Sequence, residues 1–270
     1  MTGPAVCSWS LQPRAAHDLA DLVRACGLTA VQLALDPVRT DAMPLEQVRA
    51  AFAEHGIGIV SGMMAMAGED YHSLDSIRRT GGIVPDETWP QNRAAAHRNA
   101  ELAAQLGIAL VTFHAGFIPH GELDPGRAVM LERLSVLRDL FAAEGVGVAL
   151  ETGQEHAATL AALLDELPGV GINFDPANMI LYGMDDPVAA LRALLPRVVQ
   201  VHVKDAVRAE QPERWGREVP VGAGDVDWDA FFAVLRSAGR PIGLVIEREA
   251  GEARVADVRS AVERVRGQYA

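Results

Sequence analysis

The amino-acid sequence predicts one α/β domain over residues 1–270, folded as a single (β/α)8 TIM barrel. Eight short apolar runs alternate with longer stretches of helical periodicity, which is the order that a barrel of parallel strands requires. The chain length of 270 residues is close to the roughly 250 residues typical of this architecture. The last four apolar runs each end in a side chain that can bind a metal ion.

The predicted strands are near-continuous aliphatic runs rather than alternating ones, as expected for parallel strands that are buried on both faces. A doubly wound sheet would use similar strands, but eight consecutive units without a dinucleotide-binding fingerprint favour the barrel. In chain order the predicted strands are Ala5–Ser10, Ala30–Leu35, Gly58–Ala65, Ala109–His114, Val146–Glu151, Val170–Asp175, Val198–Val203 and Ile242–Glu247.

Helices are predicted between these strands because apolar residues recur there at helical spacing. Asp227 precedes the apolar residues of one helix and is a predicted N-cap. Glycines that end helices in the left-handed conformation are predicted at Gly27, Gly56, Gly107, Gly145 and Gly239. The predicted helices are Arg14–Cys26, Leu45–His55, Gln91–Leu106, Arg127–Ala143, His156–Leu167, Pro187–Leu195, Asp229–Ala238 and Ala253–Arg266.

One connection, Gly68–Pro90, is much longer than the others and follows the third strand. Long loops at the C-terminal mouth of a barrel often contact substrate or act as lids, but a plain surface insertion is an equally good interpretation. Gly222-Ala223-Gly224 lacks the preceding strand and the spacing of a dinucleotide fingerprint, so it is interpreted as a tight turn before Asp227.

Composition restricts the class of partner. The formal net charge is −12 and the basic residues are dispersed, which disfavours binding to nucleic acid. No apolar stretch approaches the roughly 20 residues that span a bilayer, so no membrane association is expected. The N-terminal residues lack the features of a signal peptide, and Cys7 and Cys26 are far from any CxxC spacing. We therefore expect a cytoplasmic protein with reduced thiols.

Four charged or polar side chains close the last four predicted strands, namely Glu151, Asp175, His202 and Glu247. These strands are neighbours around the barrel, and barrel active sites lie at the C-terminal strand ends. Three oxygen donors and one imidazole suit one divalent ion, with Mn²⁺ expected first and Mg²⁺, Co²⁺ or Zn²⁺ as alternatives. Each residue taken alone also has an ordinary structural interpretation, such as a cap, a turn, a core hydrogen bond or an ion pair.

The segments ALETG, NFDPAN, VHVKD, VGAGDVDW and LVIERE resemble the xylose-isomerase-like barrel superfamily. The chain is most similar to its sugar phosphate isomerase/epimerase branch, which includes ketose 3-epimerases of the D-tagatose 3-epimerase type. The resemblance covers nearly the whole chain and is strongest from Val146 onward. It implies that Glu151, Asp175, His202 and Glu247 hold one divalent ion.

The resemblance also implies residues that bind substrate. Arg208 stands six residues past His202, at the offset of an arginine that contacts substrate in those epimerases. Asn178 replaces the substrate-binding histidine of the family, so a neutral amide meets the sugar instead of an imidazole. His114 at the end of the fourth strand and Lys204 beside His202 are further candidates, although a hydrogen bond to a loop or a solvated lysine would explain them equally well.

The chemistry implied is isomerisation or epimerisation of a ketose or sugar phosphate through a metal-stabilised enediolate, with Glu151 and Glu247 as acid and base. The partner would be a small sugar or polyol, and homo-oligomerisation is left open. Three alternatives remain: an inosose-dehydratase-like lyase on the same barrel, an AP endonuclease of the endonuclease-four type, and a non-catalytic barrel. The endonuclease is disfavoured because Asn178 and Asp225-Val226-Asp227 stand where its additional zinc ligands would be.

Overall fold

Eight parallel strands close into a barrel, which confirms the predicted fold class. The computed structural model describes residues 3–119, 124–211 and 214–269. Seven barrel strands follow one another around the barrel in chain order, and the last one closes the ring by pairing Val245 with Ala5 of the first. The strands are β1 Ala5–Cys7, β2 Ala30–Ala34, β3 Gly58–Met63, β4 Leu110–Phe113, β5 Gly147–Glu151, β6 Val170–Phe174, β7 Val198–Val203, β8 Asp205–Val207, β9 Arg217–Val219 and β10 Gly243–Ile246.

Helices surround the barrel, and each of the eight predicted helices coincides with an observed one. The five predicted helix-ending glycines all have φ between +63° and +73°, and the Asp227 carboxylate accepts from the Ala230 amide at 3.0 Å. None of the helices in the described ranges has both the length and the apolarity needed to cross a membrane. The helices are α1 Ala16–Ala25, α2 Asp36–Arg39, α3 Leu45–His55, α4 Leu74–Thr80, α5 Trp89–Gln105, α6 Pro125–Ala143, α7 Ala157–Asp165, α8 Pro176–Leu181, α9 Pro187–Leu194, α10 Trp228–Arg236 and α11 Arg254–Tyr269.

Several short elements at the strand ends differ from the prediction. The first strand is only three residues long, because Ser8–Leu11 forms a 3-10 helix. The β8–β9 pair is an antiparallel hairpin after β7, outside the barrel. The short helices α2 and α8 also follow strands directly, and Asp175 caps α8 by accepting from the Asn178 amide at 2.9 Å. These elements are too short to show a period in the sequence.

The long connection 68–90 is ordered and contains α4, so its interpretation as a loop is corrected. Gly82 has φ +75°, and a Cβ there would lie 2.0 Å from the Ala115 carbonyl oxygen, so only glycine permits this approach. Arg133 on α6 donates to the carbonyl oxygens of Ile83 and Val84, at 3.0 and 2.7 Å. The connection is thereby fixed against the mouth of the barrel beside β4.

The interior of the barrel contains a polar layer below the mouth, in contrast to the aliphatic packing between strands and helices. Ser61 donates to Gln200 at 2.7 Å, and Gln32 donates to Thr112 at 2.8 Å. Because these groups are removed from water, each needs a protein partner, and the resulting network fixes their orientation. The layer consists of Gln32, Ser61, Thr112, Asn173, Gln200 and His202, each at most 2% exposed.

Candidate metal centre and substrate cavity

The four predicted metal ligands come together at the C-terminal mouth of the barrel. Glu151 ends β5, Asp175 and Glu247 directly follow β6 and β10, and His202 lies in β7. Each offers a ligand atom, and these four atoms all lie within 4.8 Å of one another. All four side chains are buried, none more than 4% exposed. Parallel strands with a common register therefore bring together residues that are nearly a hundred positions apart in sequence.

The His202 imidazole lies at the centre of the group. Its Nδ1 is 3.3 Å from Glu151 Oε1, 3.3 Å from Glu247 Oε2 and 3.9 Å from Asp175 Oδ2. Within the described residues, His202 Nδ1, Asp175 Oδ2 and Glu247 Oε2 are buried without a hydrogen bond of good geometry, although the Lys204 ammonium lies 3.0 Å from Glu247 Oε2. Buried polar atoms without a hydrogen bond are costly. A divalent cation among them would satisfy all three, so the donor set fits such an ion.

The charges of the group require a compensating positive charge. Burial raises the pKa of Asp175 well above its usual range. Burial alone would lower the pKa of His202, but the facing carboxylates, Glu151 first, raise it well above its usual range. Burial would also raise the pKa of Glu247, but the Lys204 ammonium and His202 hold it well below the ordinary value. Without a metal ion, Asp175 therefore favours its neutral form, while His202 and Lys204 supply the positive charge that stabilises Glu247. A divalent ion bound among the carboxylates would supply that charge directly.

A buried glutamine orients His202. The Gln32 amide nitrogen donates to the Gly62 carbonyl at 3.3 Å, so its Oε1 must face the imidazole, 2.7 Å from His202 Nε2. Since that oxygen can only accept, Nε2 carries a proton, and Nδ1 is the ring nitrogen that would face an ion among the carboxylates. Asn173 Nδ2 lies 3.0 Å from the same nitrogen, but two N–H groups cannot bond each other, so the Asn173 amide donates to Glu151 Oε2 at 3.3 Å. A partner such as Gln32 fixes which nitrogen of a ligating histidine faces the metal.

A cavity of about 560 Å³ lies beside the candidate ligands. Glu151 and Glu247 line it, together with His114, Asn178 and Lys204. Asn178 donates to Glu151 Oε1 at 3.1 Å, and His114 Nε2 lies 3.5 Å from the same oxygen. In the described structure His114 Nδ1 is buried without a partner. The Lys204 ammonium lies 3.0 Å from Glu247 Oε2 and 3.9 Å from Asp175 Oδ2. These three side chains therefore stand beside the candidate ligands and face the cavity.

Arg208 lies apart from this group. It follows strand β8, its side chain is exposed, and it is not among the residues that line the cavity. Its backbone amide donates to Asp225 Oδ2 at 2.8 Å. This bond fixes the backbone at Arg208 and does not involve its guanidinium group. Its contact with substrate stays a prediction.

Other residues of the cavity carry no strong signal in the sequence. The Glu69 carboxylate, in the long connection, accepts from the Gly82 amide and the Tyr71 hydroxyl, both at 3.1 Å. Burial raises the pKa of Glu69, while the neighbouring His114 lowers it. Asp36 and Glu249 complete the set of additional acidic groups. The apolar part of the wall is formed by Trp9, Pro37, Met63, Met64, Met66, Leu181, Tyr182 and Trp215.

Residues 20–267 match the sequence profile of the family described as xylose isomerase-like TIM barrel. A solved xylose isomerase domain protein from Planctomyces limnophilus is 32% identical, with a TM-score of 0.85 over 92% of this chain and 91% of that chain. A xylose isomerase-like TIM barrel protein from Mycobacterium smegmatis, in complex with magnesium, is 20% identical over 100% and 98% of the chains (TM-score 0.75). The 3-keto-D-glucoside 4-epimerase YcjR from E. coli is 19% identical over 99% and 100% (TM-score 0.75). The last two likenesses concern the fold alone.

Curated relatives match only a part of the chain. The uncharacterized protein YihM of Escherichia coli K12 is 24% identical over 169 residues, which are 61% of this chain and 51% of that protein. A probable endonuclease 4 of Mycobacterium bovis is 29% identical over 163 residues, 56% of this chain and 62% of that protein. The chain thus spans about half to three fifths of the length of these relatives.

Proposed function

The chain belongs to the xylose isomerase-like TIM barrel family, and we propose that it is a divalent-metal-dependent isomerase or epimerase of a ketose, sugar phosphate or related polyol. The observation that carries the proposal is the convergence of four buried ligand atoms, two of which, His202 Nδ1 and Asp175 Oδ2, lack a hydrogen bond within the described residues. Two of the four residues, Glu151 and Glu247, line a cavity large enough for a small organic substrate.

Glu151, Asp175, His202 and Glu247 would hold the ion. When bound, a divalent ion supplies Lewis-acid polarisation of a substrate carbonyl, which makes the neighbouring carbon more acidic. We expect Mn²⁺, with Mg²⁺, Co²⁺ or Zn²⁺ as alternatives, because a set of three carboxylates and one imidazole suits all of them. Support for an ion of this class comes from the related M. smegmatis barrel, which binds magnesium.

Glu151 and Glu247 would carry the proton. They come from β5 and β10, which are separated by β6 and β7 around the barrel, so their carboxylates reach the cavity from different sides. One carboxylate removes the proton from the carbon next to the carbonyl, and the other returns a proton to the opposite face. The Trp9 indole nitrogen donates to Glu247 Oε1 at 2.6 Å, and Asn178 donates to Glu151 Oε1, so each base is held in place.

The remaining lining groups would bind substrate oxygens. His114 lines the cavity, with its Nε2 3.5 Å from Glu151 Oε1, and would meet a substrate hydroxyl there. Asn178 contacts the same Glu151 oxygen, and Lys204 Nζ lies 3.5 Å from Asn178 Oδ1. Arg208 would have to change its position to take part.

A lyase is the second candidate, because an acid stands beside a base. The Lys204 ammonium lies 3.0 Å from Glu247, so it can protonate a departing β-hydroxyl after the adjacent proton is removed. Such an enzyme would release water from the substrate and form a conjugated enone. The appearance of ultraviolet absorbance during incubation with polyols would distinguish it from an epimerase. We place an endonuclease last, since a phosphodiester normally needs a basic surface.

Exchange of solvent deuterium into substrate is the direct test of the proposed chemistry. We expect the Mn²⁺-loaded protein to label a ketose at the carbon next to the carbonyl, whatever the net reaction. Glu151→Gln and Glu247→Gln should each lower the exchange rate by at least about 100-fold, the usual contribution of a general base. Glu144→Gln, an exposed position after α6, is the control. Near-native exchange in either site variant would contradict the two-base scheme.

A further inference from the structure

Backbone amides after the seventh barrel strand are bound by a carboxylate of the protein itself. In TIM barrels the loops after strands seven and eight often bind a phosphate group. Here Asp205, fully buried, accepts from the amides of Gly222, Gly224 and Val226 at 2.7, 3.3 and 3.3 Å. A Cβ on Gly224 would lie 2.1 Å from Asp205 Oδ1, so the carboxylate fills the turn. The glycine-rich turn therefore already holds an anion.

The amides after the eighth barrel strand are occupied in the same way. The Glu218 carboxylate accepts from the amides of Glu249 and Ala250 at 2.9 and 3.0 Å. Arg248 pairs with this carboxylate at 2.7 Å and with Asp257 at 2.8 Å. Both the amides and the guanidinium that would suit a phosphate at this edge are thus already paired with carboxylates.

The cavity itself is rich in negative charge. Lys204 is the sole lysine or arginine lining the cavity within the described ranges, and it contacts Glu247 and Glu249. Arg39 pairs with Asp36 from outside the cavity wall. A divalent ion would be surrounded by its own three carboxylates, and Lys204 is paired with Glu247 and Glu249. The lining therefore offers a phosphate no free positive charge. The lining carboxylates are Asp36, Glu69, Glu151, Glu247 and Glu249.

The outer wall suits an uncharged molecule. Tyr182 and Trp215 pack at 4.8 Å between ring centroids, and Leu181 and Met66 extend this surface. An aromatic and aliphatic wall of this kind matches the apolar face of an uncharged sugar.

We propose that the substrate of this site is an uncharged carbonyl-bearing polyol, without a phosphate ester or another anionic group. The proposal rests on the proposed function for the location of the site, and it narrows the substrate class from sugars and sugar phosphates to the neutral compounds. Three independent features support it: the two filled anion-binding turns, the excess of carboxylates and the apolar outer wall.

Direct binding of matched pairs tests this inference separately from turnover. Trp9 and Trp215 line the cavity, so their fluorescence reports on occupancy without any reaction. With the Mg²⁺-loaded protein, each ketohexose of a stereochemical panel is titrated beside its 6-phosphate ester. We expect at least one ketose to bind, with its phosphate about 100-fold weaker, since like charges in contact are strongly unfavourable. Equal or tighter binding of the phosphates, or binding by no member of the panel, would overturn the inference.

A charge variant with a matched control identifies the cause of the preference. Glu249→Gln removes one lining carboxylate, and Glu252→Gln removes the same charge from an exposed position nearby. We expect only Glu249→Gln to strengthen binding of the phosphate ester, by about tenfold. Equal effects of the two variants would count against repulsion within the cavity. Selective binding of neutral ligands without deuterium exchange would contradict the proposed function and leave this inference intact. Deuterium exchange with the phosphate esters alone would support the proposed function and overturn this inference.

Discussion

At the scale of single residues, the chemistry of His202 depends on a side chain that does not line the cavity. Gln32 is fully buried, and its orientation follows from the Gly62 carbonyl, which can only accept. The amide oxygen therefore accepts a hydrogen bond from His202 Nε2, and Nδ1 is the nitrogen available to bind a metal ion. Gln32 is a positioning residue in this sense, since it acts on the site through His202.

Gln32→Leu should lower the affinity for Mn²⁺ or Co²⁺ by about 10- to 100-fold, the usual effect of removing the partner of a ligating histidine. Titration calorimetry measures this change. Nitrogen NMR of the metal-free protein should show a lower pKa for His202 in the variant, because the charged imidazole loses the acceptor of its Nε2–H group.

Ser61→Ala is the matched control for this variant. Ser61 is fully buried in the same polar layer, and its hydroxyl donates to Gln200 at 2.7 Å instead of contacting His202 or a candidate ligand. It should cost stability without changing the protonation of His202 or the metal affinity. If both variants weakened metal binding equally, the effect would be a general loss of packing in the polar layer.

The sequence predicts the four candidate ligands, because a charged or imidazole side chain at the end of a buried strand is costly unless it has a role there. The same prediction omits Asp36, although that residue directly follows the second predicted strand. It does not reach Glu69, which lies six residues past β3 and returns to the cavity through the Gly82 amide. It does not reach Gln32 either, because a polar residue inside a barrel acquires its role only from neighbours on other strands.

At the scale of elements, the loop between β5 and α7 contains a buried carboxyl group. Glu155 is 4% exposed, and burial raises its pKa to about 8 although the amides of Gly153 and Gln154 bond it. The folded protein therefore favours the neutral acid. Its contribution to stability is complete below the usual pKa of 4.5 and is lost as the pH rises through about 8.

Glu155→Gln should remove this pH dependence, because the amide keeps an acceptor oxygen and cannot ionise. Its melting temperature should equal that of the unchanged protein near about pH 5 and exceed it by about 3 °C or more near pH 8.5. Calorimetry across this range measures the difference. Glu132→Gln, on an exposed face of α6, should show no such trend. A constant difference at every pH would exclude titration of Glu155 as the cause.

Long elements follow from the sequence, whereas the short ones depend on contacts between distant segments. Each predicted helix has enough residues to show its period, each predicted strand is a recognisable aliphatic run, and the left-handed glycines mark the helix ends. The helix α4 spans seven residues, and the surrounding connection is held by Arg133 from α6. The β8–β9 hairpin is joined to the next turn by the buried Asp205. No local pattern encodes such contacts.

At the scale of the whole molecule, the barrel maintains a cluster of buried charges that opposes its own folding. The Asp175 side chain is fully buried, its Oδ2 has no hydrogen bond in the described residues, and burial raises its pKa. A bound cation would offset this cost, because a ligand that binds only the folded state stabilises it by mass action. Stability and metal loading should therefore be coupled, because the ligand side chains destabilise the metal-free protein.

Asp175→Asn tests this coupling, since the two measured effects have opposite signs. The amide keeps the oxygen that caps α8 at the Asn178 amide, but it removes the buried negative charge. In the presence of a chelator, we expect the variant to melt at a higher temperature than the unchanged protein, by about 2–4 °C for each kcal/mol that the loss of the buried charge adds to the free energy of unfolding. With Mn²⁺ at about 100 times the dissociation constant, the free energy of unfolding of the unchanged protein should rise by about 2.7 kcal/mol, and that of the variant by much less.

Asp186→Asn is the control, because it makes the same change at the exposed N-cap of α9, where the carboxylate accepts from the Ala189 amide at 2.8 Å. That control should destabilise the protein slightly and leave the stabilisation by Mn²⁺ unchanged. If Asp175→Asn behaved in the same way, Asp175 would only cap a helix and would hold no ion.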